Sequence, residues 1–180
     1  MQLELNKWYR VLAPRPVVLI TTIDEFGNIN AAPYSFVMPV SGNPPLVAIG
    51  SHPERHTLSN IRKTLEFVLN IPVKDLLEKV LICGKKFPPE TSELEKAGLT
   101  PIKSKSVKPP RIKECFAYLE CRFECEYACG DHILLIGRII ESEVNDQVLD
   151  NGKMDLIKTE PLLHISGKSF TIPKEELIGD

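Results

Sequence analysis

The stretch Ser51-His52-Pro53-Glu54-Arg55-His56-Thr57 gathers two hydroxyls, an arginine and two imidazoles just ahead of a helical pattern. Main-chain N–H groups at a helix start have no partner inside the helix. With Ser51, Arg55 and Thr57 beside them they make a pocket suited to a phosphate. The same residues also suit an ordinary helix cap, and by themselves they leave both readings open. A second stretch, Asn28-Ile29-Asn30-Ala31-Ala32-Pro33-Tyr34-Ser35-Phe36, reads as a strand with a proline inside it. Pro33 donates to no ladder, so nearby main-chain groups are left for something other than a neighbouring strand. They could receive the edge of a planar heterocycle, with Asn30 and Ser35 as side-chain partners. A bulged strand that only packs is the competing reading.

Other chemistries lack their residues. There is no GxGxxG, and the glycines at 27, 42, 50 and 84 build no phosphate loop. Neither GxSxG nor HExxH occurs. His52 and His56 are four apart, but Pro53 lies between them and no acidic third ligand falls in helical register, so no metal site is expected. The five cysteines are an odd number, against a disulfide framework. Cys121, Cys125 and Cys129 recur every four residues. Around them, however, Glu120, Arg122, Glu124 and Glu126 alternate with Cys121, Phe123, Cys125 and Tyr127, which is a strand's pattern. Four strand residues span about 13 Å, too far to share one metal, so core cysteines are expected.

The elements that must position these residues fit one domain, residues 1–180, with 43% apolar and 26% charged residues. A formal charge of -2, from 22 basic and 24 acidic residues, speaks against a nucleic-acid partner. The basic stretch Lys103 to Lys113 is broken by Pro109 and Pro110 and reads as a solvated loop. The apolar run Val17 to Ile20 is far short of the roughly 20 residues of a membrane span. The opening MQLELNKWYR carries charges where a signal peptide needs an apolar segment, so a cytoplasmic protein is expected.

Along the chain, the first ten residues read as a short helix or arm. Val17 to Ile23 reads as a strand, Asp24 to Gly27 as a turn, and Asn28 to Met38 as the returning strand, with Pro33 at an edge or bulge. Another turn at Gly42 to Pro45 precedes a strand over Leu46 to Gly50. Thr57 is the expected N-cap of a helix whose apolar face is Leu58, Ile61 and Leu65. A β-prone run follows from Phe67 to Ile71, then helical patterns over Asp75 to Ile82 and Thr91 to Ala97, with Gly84 and Gly98 as caps. Residues 85–113 form a long excursion within the domain. Two long strands, Phe116 to Tyr127 and His132 to Val144, and a last one around Leu162 to Ile165 complete six or seven strands. Helices do not alternate with them, which favours an antiparallel barrel.

Read in order, several segments resemble the flavin reductase-like, FMN-binding split-barrel family. They are Pro14-Arg15-Pro16-Val17, Thr21-Thr22, Gly27 to Phe36, Pro44-Pro45, Thr57 to Arg62 and Glu66 to Asn70. Gly98-Leu99-Thr100, Pro110-Arg111-Ile112, Leu119-Glu120-Cys121 and Gly130-Asp131-His132 continue the series. The resemblance implies an all-β fold with short peripheral helices, an antiparallel split barrel of Greek-key type, working as a homodimer. It implies that Asn30, Ala31, Pro33, Ser35 and Phe36 contact the isoalloxazine and ribityl parts of FMN. Ser51, Arg55 and Thr57, with Asn60 as a further candidate, would hold the phosphate. His132 would lie near the open ring face, where NADH, NADPH or another donor stacks. Arg111, in a loop facing the pocket, would meet the phosphates of the donor or the flavin, and Phe170 would cover the pocket from the tail. Read as residues only, His132 opens a strand and bonds a turn, and Phe170 caps the barrel end. Where members of the family often carry glycine this sequence has Leu65, expected to add bulk to the core.

The expected chemistry is hydride transfer from NAD(P)H to flavin N5, with free flavin, a ferric complex, oxygen or a redox protein as acceptor. A flavoredoxin-type carrier reduced by a protein partner is one alternative. A noncatalytic FMN-binding protein is another.

Overall fold

The computed structural model describes residues 3–88 and 91–179; Met1, Gln2, Pro89, Glu90 and Asp180, which fall within the expected arm, excursion and domain ends, lie outside the described residues. Leu5–Leu12 is a 3-10 segment with no buried residue. Strand β1 is Arg15–Pro16 and β2 is Val18–Ile23. Every residue from Val17 to Thr22 is buried, because both faces of β2 are covered. Val18 and Ile20 join one apolar cluster and Leu19 the other. The turn is held by the Asp24 carboxylate, which accepts the N–H groups of Phe26 and Asn28, and Gly27 supplies the positive φ of 89°.

The returning segment is not the single strand expected over Asn28 to Met38. β3 is Ile29–Tyr34 and β4 is Val37–Gly42, with a break at Ser35 and Phe36. The break has a physical cause. Tyr34 pairs with Val18, the first residue of β2, so β3 has no partner beyond it, and the chain then crosses to a different partner, β5 (Pro45–Ser51). After α1 (His56–Thr64), β6 (Glu66–Ile71) and α2 (Leu77–Cys83) comes α3 (Glu93–Ala97). The paired two-residue strands β7 (Pro101–Ile102) and β8 (Arg111–Ile112) lead to the long hairpin β9 (Ala117–Cys129) and β10 (His132–Val144). β11 (Leu149–Asp150), β12 (Lys153–Met154) and α4 (Leu156–Thr159) precede β13 (Leu163–Ser166) and β14 (Ser169–Thr171).

Seven strands form one antiparallel sheet in the order β3-β2-β6-β9-β10-β5-β4. Its two edge strands, β3 and β4, are consecutive in the chain, so the sheet curls into a split barrel whose opening is bridged by Ser35 and Phe36. Pro33 sits on the edge strand, where its missing N–H costs no ladder bond. β13 pairs with β1 and with β14 in a smaller sheet beside this opening. Among the described residues no helix is long and apolar enough to cross a membrane.

Four sequence expectations are corrected. Thr57 is not the N-cap; Arg55 is, and Thr57 lies buried in the first turn of α1. Leu65 leaves the apolar face and ends α1 in the left-handed region at φ 60°, half its surface exposed, which accounts for a glycine-favouring position there. Of the spaced cysteines only Cys121 is buried. A register shift between Ile136 and Gly137 on the partner strand breaks the alternation, and Cys129 is exposed near the hairpin end.

The fourth concerns Lys103 to Lys113. Its lysines are exposed, but Ser104, Pro109, Pro110, Arg111 and Ile112 are buried. Polar residues of three neighbouring strands hold the segment down. Thr21 donates to the Pro110 carbonyl, Asn70 Oδ1 accepts the Ile112 N–H, and Glu120 accepts the N–H groups of Lys105 and Ser106. The polar side of β9, expected to face water at Glu120, is covered there by this excursion.

Candidate functional site

The split in the barrel opens into a cleft made of three adjoining cavities. One of about 500 Å³ is lined by Asn30, Arg55 and Thr57, with Lys85 and Lys86 opposite. A central one of about 750 Å³ shares Ala32, His52 and Arg55 with it and adds Pro33, Ser35, Phe36 and His132. A third of about 520 Å³ shares Pro33, Ser35 and His164 with the centre and runs to Phe170. Volumes of this size are usual for small-molecule sites.

At the first end, α1 begins without any side-chain cap, so its leading N–H groups remain free for a ligand. Thr57 Oγ1 lies 3.4 Å from the donor Asn30 Nδ2, tying β3 to the helix start. Arg55, Lys85 and Lys86 are basic, and Glu54 and Glu93 offset part of that charge. The Glu93 carboxylate is spent on the Ala31 N–H, 3.0 Å away.

The centre is aromatic and imidazole-lined. His132 stacks on His52 with centroids 4.0 Å apart and on Phe36 at 5.4 Å. Asp131 Oδ1 lies 2.7 Å from His132 Nδ1, and this contact holds the exposed Asp131 carboxyl below its ordinary pKa. Arg15 places its guanidinium 5.6 Å from the centroid of Phe36 and 5.9 Å from that of Tyr9. At the far side Phe170 packs on His164, centroids 5.1 Å apart. Burial, and behind it the charge of Arg15, lowers the pKa of His164, while its contact with the Gly167 carbonyl acts the other way.

The structure thus brings together Asn30, Pro33, Ser35, Phe36, Arg55, Thr57, His132 and Phe170. The remaining candidates lie apart from these cavities. Ala31 is wholly buried in the core, because alternation along β3 turns Asn30 and Ala32 to the cleft instead. Ser51 is buried with its hydroxyl 3.0 Å from Tyr34 Oη. Asn60 donates to Thr22 and lines a separate small cavity beside the Asp24 turn. Arg111 is engaged with Glu120 and Glu143 beneath the excursion, so the expectation that its loop faces the pocket is corrected.

Sequence reasoning did not place His164, Lys85 or Arg15 in the cleft, and it read His52 only as part of the helix-start stretch. Arg15 lay within the segment Pro14-Arg15-Pro16 and could have been found there. His164 carries no local signal, since its partners come from residues 15, 35 and 167.

The profile of a family described as flavin reductase like domain matches residues 9–173. An uncharacterized protein of Archaeoglobus fulgidus is 36% identical over 177 residues, covering 98% of each chain. The crystal structure of nitrilotriacetate monooxygenase component B from Bacillus cereus superposes with a TM-score of 0.87 at 27% identity, covering 98% of this chain and 95% of that one. Flavoredoxin from Methanosarcina acetivorans gives a TM-score of 0.87 at 26% identity, with 99% and 94% covered.

Proposed function

The chain belongs to the flavin reductase like domain family, and from that premise we propose that it is an FMN-dependent oxidoreductase that accepts hydride from NADH or NADPH and passes electrons to free flavin, a ferric complex or a redox protein. The observation that carries this reading is the cleft, one trough with an uncapped helix start and basic residues at one end and an aromatic, imidazole-lined centre. A flavin mononucleotide has the matching parts in the same order, an anionic end joined to a planar ring.

Bound FMN supplies the ring that accepts a hydride at N5. In this reading the N–H groups opening α1, with Arg55 and Thr57, hold the phosphate, and Lys85 and Lys86 add charge. Asn30 fixes Thr57 from β3, and Pro33 and Ser35 border the ring. Phe36 and His132, tilted against each other, form a wall against which a nicotinamide rests, and Asp131 holds His132 in place. Phe170 closes the far end. No side chain serves as a nucleophile; the protein orients two planar partners and screens them from water.

We further propose one domain over residues 1–180 and a homodimer. A second copy would cover Met38 and Val40, which leave apolar surface exposed on edge strand β4. Five free thiols fit a reducing compartment, and we place the protein in the cytoplasm.

The likeness to a flavoredoxin favours a second reading, a carrier reduced by a protein. One experiment separates the two. The purified protein, loaded with FMN, is mixed anaerobically with NADH or NADPH while the flavin absorbance is followed. Rapid saturable bleaching supports the reductase, and bleaching only by a protein donor supports the carrier. A protein that takes up no FMN removes both.

A further inference from the structure

Three residues from distant parts of the chain meet in the middle of the cleft. Ser35 Oγ lies 2.9 Å from His164 Nδ1, and Arg15 Nη2 lies 3.3 Å from the same nitrogen. The other ring nitrogen, Nε2, lies 3.2 Å from the main-chain oxygen of Gly167. These contacts fix the protons. A carbonyl oxygen only accepts, so Nε2 carries hydrogen. A guanidinium only donates, so Nδ1 is bare. Arg15 is itself tied, Nη1 donating to the Tyr9 oxygen at 2.8 Å and Nη2 to that of Ile165 at 3.2 Å. In the neutral ring with hydrogen on Nε2, the single Nδ1 lone pair serves Ser35 at 2.9 Å, the longer Arg15 contact at 3.3 Å being secondary to the bond Nη2 makes to Ile165, and a doubly protonated ring would oppose Arg15. Ser35 then has one course open. Its single proton goes to Nδ1, and its lone pairs are left for the cleft.

We infer that His164 is a positioning residue that makes Ser35 a hydrogen-bond acceptor toward the cleft, so that the site takes the N–H edge of a planar heterocycle, and that a proton on His164 reverses this selection. The inference rests on the FMN reading, since the pyrimidine edge of a flavin offers such an N–H. With Nδ1 protonated, Ser35 accepts from the imidazolium and aims its own proton into the cleft, where it meets another donor. The charged groups facing the same cavities are Arg15 on β1, Glu78 and Lys85 in and after α2, and Lys168 in the β13–β14 turn. His52, Arg55, Asp131 and His132 line the central part. Burial and the charge of Arg15 lower the pKa of His164, so the reversal belongs below the ordinary histidine range.

The test measures FMN affinity by flavin fluorescence between pH 8 and pH 5 for the wild type, H164N and S35A. In H164N the asparagine Oδ1 offers Ser35 an acceptor that does not titrate. The ratio of wild-type to H164N affinity cancels the ionisation of the FMN phosphate and of the other cleft groups. That ratio, normalised to its value at pH 8, is expected to fall about five- to tenfold at the acid end, the effect of one hydrogen bond lost or opposed. Should H164N not fold, the ratio to S35A, which has no hydroxyl to reverse, is expected to fall in the same way. A ratio constant with pH, or one that rises on acidification, overturns the inference. Nitrogen-15 NMR of His164 in the ligand-free protein at pH 8 is expected to show Nε2 protonated and Nδ1 bare, and the opposite tautomer overturns the inference on its own. Failure of the wild type to bind FMN at any pH would instead reject the FMN reading, with the tautomer left to decide the proton assignment.

Discussion

Arg111 Nε donates to Glu120 Oε1 across 2.6 Å, at a point where Glu120 has no exposed surface. The pair fastens the latter part of the 85–113 excursion to the barrel, since the same carboxylate also accepts the N–H groups of Lys105 and Ser106. Burial opposes its ionisation, but those two N–H groups and Arg111 outweigh it and hold the Glu120 pKa below the usual value of 4.5. A carboxylate lowered in the fold stabilises above its unfolded pKa, and that contribution is lost as pH falls through the lowered folded value. Glu120→Gln is expected to cost about 3 kcal/mol at neutral pH, because buried Arg111 then keeps only the more exposed Glu143 as a charged partner. Urea unfolding measures this. The gap between wild type and variant should be full at pH 7 and narrow from about pH 4.5 downward. A gap independent of pH would show that the charge of Glu120 contributes nothing.

Leu65 is a leucine where the backbone asks for glycine. Its φ of 60° and ψ of 17° end α1, its N–H bonds the Ile61 carbonyl, and its side chain is half exposed. An L-residue there is strained by about 1 kcal/mol, and little burial compensates. Leu65→Gly should therefore raise stability by about 0.5 kcal/mol, read as a higher urea midpoint at unchanged slope. A lower midpoint would mean that the leucine packs more than its exposure suggests.

The tip of the Phe67 ring points at Gly137, and a β-carbon added at Gly137 would clash with its Cζ. Phe67 is wholly buried, so the ring has nowhere to go. Gly137→Ala is expected to destabilise by about 2 kcal/mol or more. The companion Phe67→Leu should recover part of that loss, and a strictly additive double variant would reject the contact as the cause.

The barrel was legible because β-prone runs such as Val17 to Ile23, and the hairpin around Gly130-Asp131, announce themselves locally. What escaped were features made by distant partners. The break after Tyr34 depends on where β2 begins, not on the residues at the break. Glu120 looked like a solvent-facing member of an alternating strand because the cover over it comes from residues 99–113. Both ends of the cleft were legible at Ser35, Arg55 and Thr57, since a proline-broken strand and a helix start are local signals. Ala31, Ser51, Asn60 and Arg111, which the resemblance implies, have their side chains turned from the cleft by the pleat, a tyrosine, a threonine and a glutamate respectively.

Arg55 and Thr57 offer a test of the phosphate end that carries its own control. Replacing both by alanine should weaken FMN binding by at least about tenfold, the effect of losing one charge-assisted hydrogen bond and its partner. Riboflavin, which lacks the phosphate, should bind the double variant as it binds the wild type. Because α1 has no side-chain cap, the fold should tolerate the change. Equal losses for both flavins would place the effect on the fold rather than on the phosphate.

His132 separates donor from cofactor. Its ring packs at a tilt against His52 and Phe36, and Asp131 engages its Nδ1, so the imidazole is held in that wall rather than free to swing. A residue that supports the nicotinamide but not the flavin should affect the rate of flavin reduction while leaving FMN affinity nearly intact. For His132→Ala the expected outcome is reduction by NADH or NADPH slower by about tenfold, with FMN affinity changed less than about threefold. Asp131→Ala should give a smaller slowing of the same kind, since it frees the ring without removing it. Dithionite reduces the flavin without docking in the cleft, so its rate should be the same in all three proteins. If dithionite reduction slows as well, His132 acts on the flavin itself. If reduction by the nicotinamide is unchanged, the donor rests elsewhere and the wall of Phe36 and His132 has another occupant.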